Sequence, residues 1–521
     1  MEYSVSIMPT AQAYDMSQNN KPRSKMLDIE EQTGALDIYP PTKLGSIRAN
    51  LDNFGYNDPL TFDLRYLQYS GFCKDYERSN TCPVFLYAGN EGAIESFYNN
   101  SGGVFELAEQ FQATVIFIEH RYYGESLPFG PEDSFDKEKL RFLTVEQALA
   151  DYTNFIANLP TLVGCSSSSS SSPTATTRKT PLCDTVLFGG SYGGMLAAWH
   201  RFKYPHITLG AIASGAPIDF YPHSGIQTFF DNAWQNTFEM ASPGCGAALK
   251  YAIMKLEDPA STTYETLEAA GMKSCENSVG IEEDYLKKFI FYAKGAISSL
   301  AMIDYPYPCS FIAPLPANPV KLACDNILKG GDLSEAEKVV GIVDLYVNAS
   351  GDLKCYDLGG ELVGDEAPRR PSSSLSDSGT SLGVTSWNYQ ACTQLILEPI
   401  TSDGFGFFPP TDGEETSEVV KNCHKRFGVF PRPTDIMLSF GIGEDITKSY
   451  TNVLFAENQK DPWHVGSSMF EANEDRGIYK IMGDGAHHQD LRFASELDGE
   501  GVLKVRELER KVIRKWLGEA R

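Results

Sequence analysis

The sequence predicts an α/β fold: a parallel sheet with helices on both faces, interrupted by a long helical insertion. Three observations carry this prediction. Short β-branched and aromatic runs alternate with helical stretches through roughly the first 225 residues, the sign of strands joined by helical crossovers. From about residue 225 to 425 the strand signal fades and amphipathic helical text dominates. Strand signal then returns near residue 436.

Residues 1–44 are polar and Pro-interrupted and read as a poorly ordered N-terminal arm. Buried strands are expected at Val84–Ala88, Thr114–Ile118, Thr185–Phe188 and Leu209–Ala213, with helices at Val145–Leu159 and Gly194–Tyr204. Within the insertion, Glu283–Leu300 and Ser334–Tyr346 show helical periodicity. Strands follow at Asn452–Ala456 and Tyr479–Met482. Val502–Leu517 alternates charge over an apolar stripe and reads as a surface helix closing the core. Two low-complexity stretches, the serine run Ser166–Ser172 and the segment Gly364–Gly383, hold too little apolar surface to order themselves and read as loop insertions. The chain thus divides into an arm (1–44), a first core segment (45–225), a helical insertion (226–430, with a disordered loop near 364–383) and a second core segment (431–521).

At 521 residues, the chain is long enough for a substantial core without metals or disulfides. The formal net charge is −25 and the pI is near 4.8. Such a field repels phosphate backbones and anionic lipid, so nucleic-acid and polybasic membrane functions are disfavoured. No apolar run approaches the ~20 residues that span a bilayer, and no signal peptide is visible in residues 1–44. The eleven cysteines include no CxxC pair, which removes zinc-ribbon and thioredoxin readings. They look like partners for distant disulfides with one left over, and Cys165–Cys183 would close the serine-rich loop. With sequons at Asn99 and Asn348, they favour an oxidising compartment.

The chemistry concentrates at Gly189-Gly190-Ser191-Tyr192-Gly193-Gly194, between an apolar strand and a helix. GxSxG in that context is a nucleophile elbow: glycines make room for a strained turn that projects the serine oxygen above the sheet. A serine alcohol needs a histidine to take its proton and a carboxylate to orient that histidine, in the chain order Ser, Asp or Glu, His. Asp461, in Asp461-Pro462-Trp463, and the pair His487-His488 both fall on strand-end loops in that order. The remaining histidines His120, His200, His206 and His223 lack metal-ligand spacing and take structural roles. Neither a metal nor a cofactor is expected.

These residues resemble the serine peptidase family of lysosomal Pro-X carboxypeptidase and dipeptidyl peptidase 2. The likeness rests on Gly89-Asn90-Glu91-Gly92, the run Glu119 to Gly130, the run Leu143 to Asp151, Gly189–Ala198, Trp387-Asn388-Tyr389-Gln390-Ala391-Cys392-Thr393, Asp461-Pro462-Trp463 and Gly485-Ala486-His487-His488. It implies an α/β-hydrolase core with an inserted helical cap domain. It further implies a serine exopeptidase that cleaves next to proline, as a carboxypeptidase or an aminodipeptidase. The implied triad is Ser191, Asp461 and His487, with His488 as the fallback base. Tyr192 and Asn90 would supply oxyanion-hole donors, and Met195 and Trp463 would line a proline pocket. The implied partners are peptides with proline near one terminus, with a homodimer left open, and the implied setting is lysosomal, vacuolar or secreted. An inactive binding protein on the same scaffold is the competing class. Departures stand at Ala456-Glu457-Asn458-Gln459-Lys460, where the family usually shows Asn-Gly, at His464 to Ser468, at Ala93 and at Gln394. They put substrate details and the Asp461 loop in question.

Overall fold

The computed structural model describes residues 34–518, except 57–58, 75–81, 165–181, 221–226, 259–262, 273–281, 330–332, 350, 352–383, 396–405, 408–414, 433, 444 and 468–469. The serine run, Cys165, His223, the loop near 364–383 and most of the arm lie outside the described residues.

Eight strands form one sheet: β1 (Lys43–Asn50), β2 (Thr61–Tyr69), β3 (Val84–Tyr87), β4 (Thr114–Ile118), β5 (Thr185–Gly190), β6 (Gly210–Ser214), β7 (Val453–Asn458) and β8 (Ile478–Gly483). Their order is β1-β2-β4-β3-β5-β6-β7-β8. Strand β2 pairs antiparallel with β1 and β4, and every other pairing is parallel. This is the α/β-hydrolase topology, with β5 near the centre. Because side chains alternate across a strand, Phe85, Tyr87, Val115, Phe117, Val186 and Phe188 face one apolar cluster. Leu86, Ile116, Ile118 and Leu187 face the other. Helices Gly102–Phe111 and Glu500–Leu517 contribute to the first cluster and helices Val145–Leu162 and Tyr192–Lys203 to the second.

Several expectations need correction. The core begins inside the predicted arm: Ala35–Ile38 is a helical turn, Ala35 is fully buried, and Tyr39 stacks on Phe105 at 5.1 Å. Strands β1 and β2 escape a search for apolar runs because β1 is a half-exposed edge strand reading Lys-Leu-Gly-Ser-Ile-Arg-Ala-Asn. Near residue 436 there is no strand but a short helix, Asp435–Phe440, with Gly441 left-handed at its end. Its four apolar residues suit either element, and Phe440 stacking on Trp199 at 4.7 Å favours the helix. Helix Val145–Leu162 includes Pro160, whose ring nitrogen has no N–H to offer Ile156 O, and the helix ends two residues later.

Between β6 and β7 the named elements among the described residues are helices, including Gln227–Ala241, Cys245–Leu256, Glu282–Met302, Pro319–Lys329 and Glu335–Val347. Cys245–Cys324 ties two of these helices, Cys392–Cys423 ties the turn after helix Val384–Ala391 to helix Glu415–Phe427, and Cys73–Cys82 closes a short loop. Loop entropy makes the first of these, spanning 79 residues, worth on the order of 4 kcal/mol. Cys183 is also disulfide-bonded, and Cys309 is the free, buried thiol among the described residues.

The long motifs behind the resemblance are largely structural. Arg121 and Asp151 form a fully buried bidentate pair, 2.7 Å at each contact, joining the loop after β4 to helix Val145–Leu162. Glu119 accepts from Ile94 N at 3.2 Å, which caps the helix start where Ala93 supplies no side-chain cap. Gln394 donates to Glu146 at 2.6 Å and accepts from Val145 N at 2.7 Å. An acid at 394 would instead meet the Glu146 carboxylate.

Candidate active site

Ser191 sits between β5 and helix Tyr192–Lys203 with φ 57° and ψ −128°. A non-glycine residue held there is strained, and such strain persists only where the surroundings enforce it. The surroundings are visible. Ser191 N bonds Ser214 O at 2.9 Å and Met195 N bonds Ser191 O at 3.0 Å. A Cβ at Gly189 would lie 2.0 Å from Gly193 O, and one at Gly193 would lie 2.2 Å from Asn90 Oδ1. The glycines of the motif are therefore steric requirements.

Asp461, in the loop after β7, and His487, in the loop after β8, meet directly. Asp461 Oδ2 lies 2.6 Å from His487 Nδ1, and both side chains are almost completely buried. The other carboxylate oxygen accepts Trp463 N at 3.0 Å, so both Asp461 oxygens are engaged. His464 turns its Nδ1 to Asp461 O at 2.5 Å, bracing the altered loop. Asn458, part of the departure from family text, accepts from Gly485 N at 3.2 Å and donates to Asp490 at 3.0 Å. It cross-links the two loops. His488 makes no bond to Asp461. Its backbone is left-handed (φ 36°), its ring packs edge-on to Phe311 at 5.4 Å, and burial beside His487 and Arg492 holds its pKa far below the usual imidazole range.

The other predicted residues are distributed as follows. Tyr192 opens the helix after the serine. Its hydroxyl is tied away between His120 Nε2 at 3.1 Å and Gln390 Nε2 at 2.7 Å, and Gln390 Oε1 accepts from Tyr123 at 2.5 Å. Asn90 donates one side-chain amide hydrogen to Gly190 O at 2.7 Å, which fixes its loop against the elbow. Trp463 is walled by Phe230 and Phe220, with ring centroids 4.4 and 5.4 Å away. Met195 belongs to a different apolar cluster from Trp463.

Sequence reasoning missed two features. Gly215, with φ 53°, follows β6; a Cβ there would fall 2.9 Å from His487 Nδ1 and 3.2 Å from Asp461 Oδ2. The signal was a glycine directly after a buried strand. Beneath the site lies a group of buried carboxyls. Glu457 is raised well above the usual range by burial and by Asp461. Burial raises Asp490 and Glu509 as well, and the neighbouring Asp490 carboxylate raises Glu509 further. Asp490 also accepts from Ser214 at 2.8 Å.

These groups set a pH optimum of stability. Burial lifts Glu119 from 4.5 to about 7 and lifts Glu457 and Glu509 well above 4.5. Each therefore contributes stability that is complete below its unfolded value and lost as pH rises through its folded one. Burial also depresses His120 and His200 from 6.5 to about 3. The unfolded chain takes up those protons below pH 6.5 while the folded chain does not, so they cost stability on acidification. The melting temperature is expected to be highest between about pH 4.5 and 6.5 and to fall on both sides. Glu509→Gln should flatten the decline above pH 6.5. Calorimetry from pH 3.5 to 8 checks this; a melting temperature still climbing at pH 8 contradicts it.

Known proteins resemble this chain along nearly its full length. The family model described as serine carboxypeptidase S28 matches residues 49–509. Lysosomal Pro-X carboxypeptidase of Homo sapiens is 34% identical over 493 residues, covering 92% of this chain and 90% of that protein. The Bos taurus protein of the same name is 34% identical over 479 residues, covering 91% and 87%. Thymus-specific serine protease of Mus musculus is 28% identical over 514 residues, covering 91% and 87%. On the family match and on these full-length likenesses, the chain belongs to the serine carboxypeptidase S28 family.

Proposed function

We propose that this protein is a serine exopeptidase that releases the residue following a proline at the C-terminus of peptides, acting through an acyl-enzyme on Ser191. The observation that carries the reading is the 2.6 Å contact between Asp461 and His487 on the two strand-end loops that follow the Ser191 elbow in the chain. Family membership makes the chain a serine-type peptidase, and the lysosomal Pro-X carboxypeptidases at 34% identity support its direction to proline.

In this mechanism His487, fixed through Nδ1 by Asp461, uses its other ring nitrogen to take the Ser191 proton. The serine oxygen attacks the carbonyl carbon of proline, and the same imidazole gives the proton to the leaving amine. The tetrahedral oxyanion faces the main-chain N–H groups of Tyr192, at a helix N-terminus, and of Asn90. Water, deprotonated by His487, then releases the acyl group. Trp463, among Phe220 and Phe230, offers an indole face to the pyrrolidine ring, and Met195 borders the elbow from its helix. The described helices between β6 and β7 would cap the site, since Thr237 and Tyr305 reach the backbone of Lys460 and His487. A lysosomal or secreted setting accords with the relatives' names and with the disulfides. Among the described residues, no helix is long and apolar enough to cross a membrane.

The test is a peptide with an internal proline next to its last residue, offered as free acid and as amide from about pH 4 to 8. Mass analysis should show loss of the single C-terminal residue. At neutral pH the −25 net charge repels a substrate carboxylate, while acid weakens that repulsion but protonates the base. The free acid should therefore peak in kcat/KM on the acidic side of neutrality and the amide at higher pH. Release of an N-terminal dipeptide with identical pH profiles would replace the carboxypeptidase by an aminodipeptidase.

A further inference from the structure

The turn that leaves helix Glu282–Met302 touches both loops that carry the Asp461–His487 pair. His487 donates its main-chain N–H to Met302 O at 2.9 Å, and the Tyr305 hydroxyl donates to His487 O at 2.9 Å. The other main-chain bonds of residues 485–492 stay within that loop or go to Asn458, Lys460 and Arg506 of the core. On the Asp461 side, Lys460 Nζ lies 3.4 Å from Asp304 Oδ2, and Thr237 Oγ1 donates to Lys460 O at 2.9 Å. Asp304 is itself held, accepting Val320 N at 3.1 Å. One four-residue corner of the insertion therefore grips the backbone of the histidine and the residue before the aspartate.

Tyr305 is built to be immobile. It is fully buried, the Arg492 guanidinium covers its ring at 4.4 Å, and Tyr307 stacks on it at 5.8 Å. Its own carbonyl accepts Asn318 N at 2.7 Å. Burial raises its pKa well above the ordinary phenol value, so the hydroxyl remains a donor at any working pH. A donor fixed in this way sets where the His487 carbonyl can be. Through one residue of backbone it sets the ring's reach to Asp461. Errors of about 1 Å in such a set cost on the order of a hundredfold in rate.

We infer that Tyr305 is a positioning residue for His487: the helical insertion, beyond covering the site, holds the catalytic histidine in register with Asp461. This rests on the reading of Ser191, His487 and Asp461 as the catalytic set. The phenol touches neither substrate nor reacting atoms, so its effect should fall on the chemical step and spare substrate binding.

The test compares wild type with Tyr305→Phe, which removes only the hydroxyl. Expected are a kcat about tenfold lower, from one lost buried hydrogen bond, and a KM within about twofold of wild type. Fluorophosphonate labelling of Ser191 should slow in step with kcat. Unchanged kcat and labelling rate, whatever the melting temperature does, would overturn the inference. Should Tyr305→Phe fail to fold, Asp304→Asn carries the same readouts, since it loosens the Lys460 contact while keeping an oxygen for Val320 N. Wild-type protein that does not label at Ser191 refutes the triad reading itself; labelled wild type with unaffected variants refutes only the role of Tyr305.

Discussion

Ser191→Ala is expected to abolish turnover and fluorophosphonate labelling together. Removing the nucleophile of a Ser-His-Asp set costs on the order of 10⁴-fold or more, leaving only what oxyanion binding and substrate positioning supply. The fold should tolerate the change. Ser191 holds its strained backbone through Ser214 O and the helix that follows, and the side-chain oxygen caps nothing. Alanine carries the same Cβ into the same φ of 57°, so the strain is not new. The informative measurement is intact mass after probe treatment: wild type gains one adduct, the variant none. Stoichiometric labelling of the alanine variant at another serine would remove Ser191 from the mechanism.

The next largest effect separates two adjacent imidazoles. His487→Ala should lower kcat/KM by about 10³- to 10⁴-fold, whereas His488→Ala should cost roughly tenfold or less. His487 has one ring nitrogen on Asp461 at 2.6 Å, leaving the other to serve the serine. His488 lies against Phe311 and close over Gly190, where an added Cβ would come within 3.0 Å of its ring. Held neutral by burial, it fills space beneath the elbow, and its loss should show more in the melting temperature than in kcat. Equal losses, or a larger one at His488, would mean that the wrong histidine has been named as the base.

Much of the fold is legible along the chain because its signals are local. The strands Thr114–Ile118 and Thr185–Gly190 are buried apolar runs, and a strand, GxSxG and a helix in succession need no distant partner to be recognised. What is half-exposed or ambiguous in period is hidden. Edge strand β1 offers no apolar run, and Asp435–Phe440 is too short for its period to tell helix from strand. Residues 34–44 look like a tail until Tyr39 is seen stacked on Phe105, 66 residues further on.

For the candidate site, the amino-acid sequence by itself determined the chemical types, their order and their strand-end addresses, because an elbow and a Gly-bracketed loop are set by neighbours in the chain. Only the tertiary structure decided which histidine meets Asp461, that Gly215 must lack a side chain beside that pair, and that the carboxyls of Asp490 and Glu509 are buried together with it. It also decided that Tyr305, 182 residues from His487, holds that residue's carbonyl. The physical reason is the range of the interactions. Backbone propensity and steric punctuation act over a few residues, whereas desolvation and hydrogen bonding at a buried centre depend on side chains that meet only after the insertion has folded onto the sheet.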